Sequence, residues 1–365
     1  MSNIKNRQPE LKKRYRAIGI MSGSSLDGLD ISTTSFWEES GQWKFEIEKA
    51  ETKPISDELI SQLKQSEHLS SKALSELDDL YGKWIAGQLE DYIEGDKLEI
   101  DCVALHGHTV YHEPAQGYSL QIGSGREVAN ATGILTIDDF RNDDIKKGGQ
   151  GAPLVPVGEY NLFPEYAGFV NLGGISNITT INAGKIRAWD ICPFNQVFNY
   201  YARLLGEKYD AGGQLAMSGN MDQKYYDGLV GLAYFKSEPP KSLSNQWGVE
   251  NGLYVDRPAR DVLHTYANVA AKLIAEAIKK NLPQGAKVLF TGGGAFNTYA
   301  MDLVRQNLAG SQEVVIPSKE IVEFKESLIF GFLGLLRLLE RPNVFASATG
   351  ASADSVAGQL HLPSA

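Results

Sequence analysis

The chain has 365 residues, of which 42% are hydrophobic and 22% are charged, and this size and composition are typical of a globular protein with two domains. Its 35 Lys and Arg against 45 Asp and Glu leave a formal net charge of −10, which argues against general binding to nucleic acid or to an anionic membrane surface. Two cysteines cannot form a disulfide framework, and the longest apolar run, 328–336, is too short to cross a bilayer. We therefore expect a cytoplasmic protein.

The first half of the chain is predicted to form a mixed α/β sheet after a polar lead-in over residues 1–15. Apolar residues at helical spacing predict helices at 55–65 and 72–93. Strand-forming composition or alternation predicts strands at 15–21, 29–37, 44–52, 103–105, 118–122 and 134–137. Hairpins followed by strands interleaved with helices indicate one mixed sheet.

The second half begins with the same pattern as the first. An apolar strand, a tight glycine turn and a second strand recur, so that Gly173 corresponds to Gly23, and this points to an internal repeat. The further elements predicted are strands at 167–172, 175–181, 287–291 and 313–316 and helices at 195–205, 225–234, 261–281, 297–308 and 325–340.

This organisation predicts two α/β lobes, residues 1–155 and 156–365, with a cleft between them. Glycine and proline at 148–164 predict a flexible, non-helical junction. The last segment of the chain is a candidate to pack back on the first lobe.

Two of the glycine turns are candidate phosphate-binding loops. The turn at 23–28 offers backbone N–H groups and hydroxyls to an oxyanion, and the neighbouring Asp27 is suited to Mg²⁺. Gly173 and Gly174 form the matching turn, and the two turns together would grip a polyphosphate. Taken singly, each is better explained as an ordinary hairpin turn.

A third glycine cluster has the context of a nucleotide-binding turn. Gly292, Gly293 and Gly294 follow a predicted strand and precede a predicted helix, and they leave room for a flat adenine or ribose. A plain strand–helix connection is the alternative. No Gly-Lys pair is followed by Ser or Thr, which argues against P-loop chemistry.

Asp190 is the candidate general base. It lies between apolar residues at the end of a predicted strand, where desolvation would raise its pKa. The alternative is a buried carboxylate that caps the helix beginning near Asn195. The flanking Trp189 and Phe194 are expected in the core rather than in a sugar-stacking platform.

Further polar candidates stand in the first half and near the C-terminus. His106, His108 and His112 are spaced closely enough for zinc, but their loop context favours hydrogen bonds to a ligand or to backbone. Arg141 offers a bidentate contact to a ligand oxygen, with a solvated loop as the alternative. Glu326 is predicted to head an apolar helix, where an acid in the first turn favours the helix dipole.

In this order, the segments resemble the actin-like ATPase and sugar-kinase superfamily and, more narrowly, the anhydro-N-acetylmuramic acid kinase family. The resemblance implies a two-lobed actin-like (RNase H-like) α/β fold with a central interdomain cleft. The blocks that carry it run across nearly the whole chain: 21–28, 106–112, 139–141 with 144–145, 148–156, 171–177, Asp190 with Asn195, 292–297, Glu326 and 349–352.

The resemblance implies a kinase that uses ATP and Mg²⁺ in peptidoglycan recycling. Water would open 1,6-anhydro-N-acetylmuramic acid while the freed O6 takes the γ-phosphoryl group, giving N-acetylmuramic acid 6-phosphate and ADP. Asp190 would activate the water, Asp27 would support the metal, and the family's habit implies a homodimer. The implied sugar ligands are Thr109, Arg141 and Glu326. The implied ATP ligands are Gly23, Ser24, Ser25, Leu26, Asp27, Gly28, Leu29, Asp30, Gly173, Gly174, Gly292, Gly293 and Gly294.

The sequence also departs from the family in three places. Residues 190–195 read Asp-Ile-Cys-Pro-Phe-Asn where the family usually has Asp-Thr-Gly-Pro-Gly-Asn, and we expect Phe194 to reshape the sugar pocket. His108 stands where many members have Gln, and 240–246 lacks the usual Gly-Arg-Glu. The alternatives are a kinase for another amino sugar or anhydro-sugar, and a non-catalytic actin-like ATP-dependent clamp or filament protein.

Overall fold

The computed structural model describes residues 14–23, 26–96, 98–182, 184–244 and 246–364. Ser24 and Ser25, two of the expected phosphate ligands, lie outside the described residues. The chain divides into two compact units: the first extends to Phe163 and resumes at Phe324, and the second is Pro164–Glu323. The predicted boundary at 155/156 lies shortly before the division at 163/164, and the C-terminal segment groups with the first unit.

The strands are β1 (Tyr15–Ser22), β2 (Leu29–Glu39), β3 (Gln42–Lys53), β4 (Cys102–Leu105), β5 (His108–Glu113), β6 (Tyr118–Ile122), β7 (Thr136–Asp138), β8 (Gly168–Leu172), β9 (Ile175–Asn182), β10 (Lys185–Pro193), β11 (Lys287–Thr291), β12 (Glu313–Val315) and β13 (Gln359–His361). The helices are α1 (Asp57–Lys64), α2 (Ser71–Ile93), α3 (Gly125–Thr132), α4 (Asn142–Ile145), α5 (Pro156–Leu162), α6 (Asn195–Leu204), α7 (Gln214–Met217), α8 (Gln223–Val230), α9 (Ala233–Lys236), α10 (Trp247–Glu250), α11 (Ala259–Asn281), α12 (Thr298–Leu308), α13 (Lys319–Leu338) and α14 (Ala346–Thr349).

The sheet of the first unit has the strand order β13-β7-β4-β1-β2-β3. Strands β1, β4 and β7 are parallel to one another, whereas β2 pairs antiparallel with both β1 and β3. Because parallel strands end at the same edge of a sheet, the residues that follow β1, β4 and β7 lie along one edge. Gly23, His106 and Asp139 are those residues, so three of the predicted blocks share that edge.

The sheet of the second unit has the order β10-β9-β8-β11-β12. Strand β9 pairs antiparallel with β8 and β10, and β11 is parallel to β8 and β12. Matched to β1, β2, β3, β4 and β7 of the first unit, these five strands have the same order and the same directions. The internal repeat predicted from the sequence is therefore confirmed by the topology.

Helix α13 packs on the first sheet with almost no space between the two backbones. A Cβ at Gly19 in β1 would overlap the carbonyl oxygen of Ser327 and approach the Gly331 amide nitrogen to 2.5 Å. The helix begins at Lys319, not at 325 as predicted. Glu326 thus lies inside the helix, and the prediction that it is a first-turn acid is wrong.

Three local predictions also differ from the structure. The histidine block was predicted as loop, but residues 108–113 form β5, which pairs antiparallel with β6. The junction at 148–164 was predicted as non-helical, yet Pro156 begins α5, because proline is pre-organised for the first turn of a helix. The predicted helix at 225–234 is two helices, which separate at Gly231. Across the described ranges, no helix is long and apolar enough to cross a membrane.

Candidate active site

Arg141 in the first unit is fixed by two neutral hydrogen-bond acceptors. Its Nη1 donates to the Gly151 carbonyl oxygen at 2.8 Å, and its Nη2 lies 2.7 Å from Nε2 of His106. Its Nε is buried, with no hydrogen-bond partner in the described part of the chain. Burial lowers the pKa of Arg141 to about 10, although nearby Glu326 opposes the shift. A solvated loop is therefore the wrong interpretation of this residue.

The loop that carries Gly151 is fastened to the C-terminal segment through Asp144. The buried Asp144 carboxylate accepts hydrogen bonds from the Gly151 amide and from the Thr349 hydroxyl, both at 2.8 Å. The Gln150 amide donates to the Thr349 carbonyl oxygen at 3.0 Å. These contacts join three of the blocks on which the family resemblance was based, and they position the backbone that holds Arg141.

Glu326 lies among charged groups of the first unit. Burial raises its pKa, and Asp30 and Glu159 add to that effect, whereas Lys325 and Arg141 act against it. Asp30 accepts a hydrogen bond from the Thr52 hydroxyl at 2.6 Å. The sequence-predicted sugar ligands Arg141 and Glu326 are thus close enough for their charges to interact.

Thr109, the third predicted sugar ligand, lies on β5, at an irregularity in the pairing with β6. Its hydroxyl accepts a hydrogen bond from Gln121 Nε2 at 3.3 Å. The nearby His112 makes a hydrogen bond through Nδ1 to the Ser119 hydroxyl at 3.1 Å. Among the residues that the structure describes, no group of three His, Cys, Asp or Glu side chains could hold a metal ion, so the zinc interpretation of the histidines is not supported.

Asp190 in the second unit lies at an irregularity in β10, near its carboxyl end. Its Oδ2 accepts a hydrogen bond from the Leu243 amide at 2.8 Å, and its backbone carbonyl accepts one from the Tyr234 hydroxyl at 2.8 Å. Its own amide donates to the Lys241 carbonyl at 3.3 Å. Burial raises the pKa of Asp190, and the Leu243 amide partly offsets the rise. The carboxylate therefore bonds to a neighbouring loop.

The turn at Gly173 and Gly174 supports the beginning of α6. The Gly174 carbonyl accepts from the Phe194 amide at 2.7 Å, and the Gly173 carbonyl accepts from the Asn195 amide at 3.0 Å. The Asn195 side chain donates to the Leu172 carbonyl at 3.0 Å. These hydrogen bonds satisfy polar groups at the beginning of α6. The alternative interpretation, in which the Asp190 carboxylate caps this helix, is wrong.

The glycine cluster after β11 packs against the end of β8 and the beginning of α6. A Cβ at Gly292 would lie 2.5 Å from Asn171 Oδ1, and one at Gly294 would lie 2.5 Å from a Phe194 ring carbon. A Cβ at Gly293 would meet nothing nearer than Asn195 Nδ2, at 3.8 Å. Gly293 is therefore the member of the cluster with open space beside it.

Trp189 and Phe194 are buried in the core of the second unit, as predicted. The Phe194 ring packs on Phe198 with a centroid separation of 4.9 Å and fills the space against Gly294. The departure from the family at Phe194 thus acts directly on the glycine cluster.

The structure adds residues that the sequence reasoning missed. Glu159 and Lys325 form a buried ion pair between segments distant in the chain, and no local pattern identifies it. Helix α3 carried a detectable pattern, because Ser124 caps it three residues before Glu127.

The model of the family described as anhydro-N-acetylmuramic acid kinase matches residues 15–363. The chain belongs to this family. It is therefore an enzyme of the sugar-kinase class that uses ATP and a small-molecule sugar, and its sheets and helices form a mixed α/β fold. The family and the enzyme class predicted from the sequence are confirmed, and the non-catalytic alternative is wrong.

The chain is similar along nearly its whole length to relatives named anhydro-N-acetylmuramic acid kinase. The relative from Hydrogenovibrio crunogenus is 31% identical, covering 95% of this chain and 98% of its own. The relative from Synechocystis sp. is 32% identical, covering 94% of this chain and 98% of its own. Membership of the anhydro-N-acetylmuramic acid kinase family thus extends over both units.

Solved structures give weaker matches. The activator of the 2-hydroxyisocaproyl-CoA dehydratase from Clostridium difficile is 13% identical with a TM-score of 0.44, covering 89% of this chain and 96% of that one. The ROK hexokinase from Thermus thermophilus is 10% identical with a TM-score of 0.39, covering 88% of this chain and 99% of that one. These low scores support no conclusion by themselves.

Proposed function

We propose that the chain phosphorylates 1,6-anhydro-N-acetylmuramic acid on O6 while water opens the anhydro bond, giving N-acetylmuramic acid 6-phosphate and ADP. The match of the family model over residues 15–363 and the names of the relatives support this substrate. The structural observation that carries the proposal is the desolvated carboxylate of Asp190, oriented by the Leu243 amide at 2.8 Å.

Asp190 acts as the general base in the proposed reaction. The Leu243 amide fixes Oδ2, and Oδ1 accepts a proton from the attacking water. Burial raises the pKa of the carboxyl group, which increases its affinity for that proton. The water attacks C1 from the face opposite O6, as in inverting glycosidases, and O6 leaves towards the γ-phosphoryl group.

Arg141, Glu326 and Thr109 hold the sugar. The buried Nε of Arg141 has no partner in the described residues, and a sugar oxygen would satisfy this donor. The fixed guanidinium group of Arg141 presents its positive charge to the sugar, and the Glu326 carboxyl group offers the sugar a second hydrogen-bonding partner. Thr109 contributes a half-buried hydroxyl on β5.

The ATP phosphates bind the turns at 23–30 and 173–174, and the nucleoside binds beside 292–294. Gly293, which has open space beside it, suits a close approach by the nucleotide. Asp27 offers carboxylate oxygens, the ligand type that Mg²⁺ prefers together with phosphates and water. Mg²⁺ held there would neutralise charge that develops on the transferred phosphoryl group.

We also propose that the enzyme works as a homodimer in the cytoplasm. The family resemblance supports the dimer, and the need for ATP supports the compartment. Analytical ultracentrifugation of the purified chain tests the dimer, and a monomer at micromolar concentration would contradict it.

The proposed reaction is tested by ADP release with ATP and Mg²⁺ in three arms: 1,6-anhydro-N-acetylmuramic acid, open N-acetylmuramic acid, and no sugar. We expect release only with the anhydro-sugar and its loss in Asp190→Asn. Release only with the open sugar would favour a related kinase. Release that ignores every sugar would contradict the proposal.

A further inference from the structure

His106 follows β4 directly, and its contacts define its tautomer. Nδ1 lies 2.8 Å from the Gly107 carbonyl oxygen, and a carbonyl oxygen only accepts hydrogen bonds. Nδ1 therefore carries the proton. In a neutral ring Nε2 is then an acceptor, and it faces Nη2 of Arg141 at 2.7 Å, which can only donate.

The surroundings of the ring keep it neutral. His106 is buried, and its ring and that of Phe330 in α13 pack edge to face with a centroid separation of 5.0 Å. Burial, the charge of Arg141 and nearby His108 lower the pKa of His106 to about 3, although its bond to Gly107 opposes the shift. The Nε2 acceptor is thus present throughout the neutral pH range.

Two fixed bonds define the plane of the Arg141 guanidinium group. Gly151 holds Nη1 and His106 holds Nη2, so the direction of the third donor, Nε, follows from the planar geometry. Both partners are uncharged. A carboxylate in place of His106 would compensate the charge of Arg141, whereas the neutral imidazole leaves that charge for Glu326 and a ligand.

We propose that His106 is a positioning residue for the sugar: as the neutral Nδ1–H tautomer, it orients Arg141 so that the buried Nε meets a sugar oxygen. This inference rests on the proposed function, because it takes Arg141 as a sugar ligand. His106 itself neither touches the reacting atoms nor transfers a proton.

Two variants of similar size distinguish the role of the acceptor at Nε2 of His106 from that of the donor at Nδ1. His106→Gln places an oxygen near the position of Nε2 and keeps the acceptor for Arg141. His106→Asn places its amide nitrogen near Nδ1 and loses that acceptor. A hydrogen bond to a charged group contributes enough that its loss should lower kcat/KM for the anhydro-sugar about tenfold to a hundredfold.

We expect this loss in His106→Asn, mainly as a higher KM for the sugar, with the KM for ATP changed less than about twofold. His106→Gln should recover kcat/KM to within about threefold of wild type. Because His106 acts through Arg141, His106→Asn should cost nothing further in an Arg141→Ala background. The exposed His68 supplies the control variant His68→Gln, which should behave as wild type.

Equal losses in the Gln and Asn variants, or equal increases of both KM values, would overturn the role of His106. Nitrogen-15 NMR of the ligand-free wild-type protein tests the tautomer without any catalysis or any variant. We expect protonated Nδ1 and unprotonated Nε2 at every pH from about 5 to about 8. An Nε2–H tautomer, or a ring that titrates in that range, would overturn the inference. Absence of sugar-dependent ADP release by wild type would instead overturn the proposed function.

Discussion

The buried ion pair between Lys325 and Glu159 offers a quantitative test of how the first unit is held together. Lys325 Nζ lies 2.7 Å from Glu159 Oε1, and the two side chains are only 4% and 3% exposed. The second oxygen of Glu159 is buried, with no partner within the described residues. Lys325→Met keeps the length of the side chain but removes the charge that compensates Glu159.

Removing one member of a buried ion pair costs about 3–5 kcal/mol, because the remaining charge stays desolvated. In a unit of roughly 200 residues each kcal/mol lowers Tm by about 2–4 °C, so we expect a decrease of about 6–20 °C. The matched control is Lys319→Met on the same helix. Lys319 is 76% exposed and pairs with Glu323 at 3.7 Å, so its loss should cost about 0.5 kcal/mol or less.

Urea unfolding of wild type and both variants, followed by circular dichroism, measures these differences. The double variant Glu159→Leu, Lys325→Met should recover most of the lost stability, because it leaves neither member of the pair as an uncompensated buried charge. Lys325 also lowers the pKa of Glu326, so Lys325→Met should move the pH profile for sugar KM towards higher pH. If Lys325→Met costs no more than Lys319→Met, the reasoning about this pair is wrong.

Three further predictions concern the second unit and the Asp144 contacts. Gly294→Ala places a methyl group 2.5 Å from the Phe194 ring and should raise the KM for ATP about tenfold or more. In Gly293→Ala the nearest neighbour of the added methyl group is 3.8 Å away, so the KM for ATP should change less than about threefold. Equal effects of the two variants on this KM would contradict the packing described for the cluster. Because burial raises the folded-state pKa of Asp190, the folded state binds that proton more tightly than the unfolded chain does, and stability falls as pH rises from about 3.9 through the raised pKa. Asp190→Asn should therefore be more stable than wild type at pH 7 in urea titrations, with little difference near pH 3, and a variant that is less stable at pH 7 would refute this. Asp144→Asn weakens two hydrogen bonds of 2.8 Å and should lower the free energy of unfolding by about 1–3 kcal/mol in urea titrations. An unchanged free energy of unfolding would contradict the importance of these contacts.

The sequence was sufficient to predict the structural features that depend on local residue patterns. The repeat was visible because each half opens with an apolar strand, a glycine turn and a second strand, and both sheets have the matching order. Asp190 was found because an acid between apolar residues at a strand end is unusual. The burial that raises its pKa agrees with that reasoning.

Features that depend on distant contacts were not predictable in the same way. Leu243 is 53 residues from Asp190 in the chain, and a backbone amide carries no side-chain pattern. Glu326 was misplaced because the apolar run of α13 begins after its polar first turns, which start at Lys319. Strand β5 was missed because polar histidines obscured an alternation that the pairing with β6 stabilises.

The destination of the water oxygen tests the central claim most directly. The reaction is run in oxygen-18 water with ATP, Mg²⁺ and 1,6-anhydro-N-acetylmuramic acid, and the products are analysed at once by mass spectrometry and phosphorus NMR. We predict one heavy oxygen on C1 of the sugar, none in the phosphoryl group, a phosphate ester at O6, and no product with Asp190→Asn. Heavy oxygen in inorganic phosphate, with the anhydro-sugar unchanged, would mean that water attacks ATP and would contradict the account.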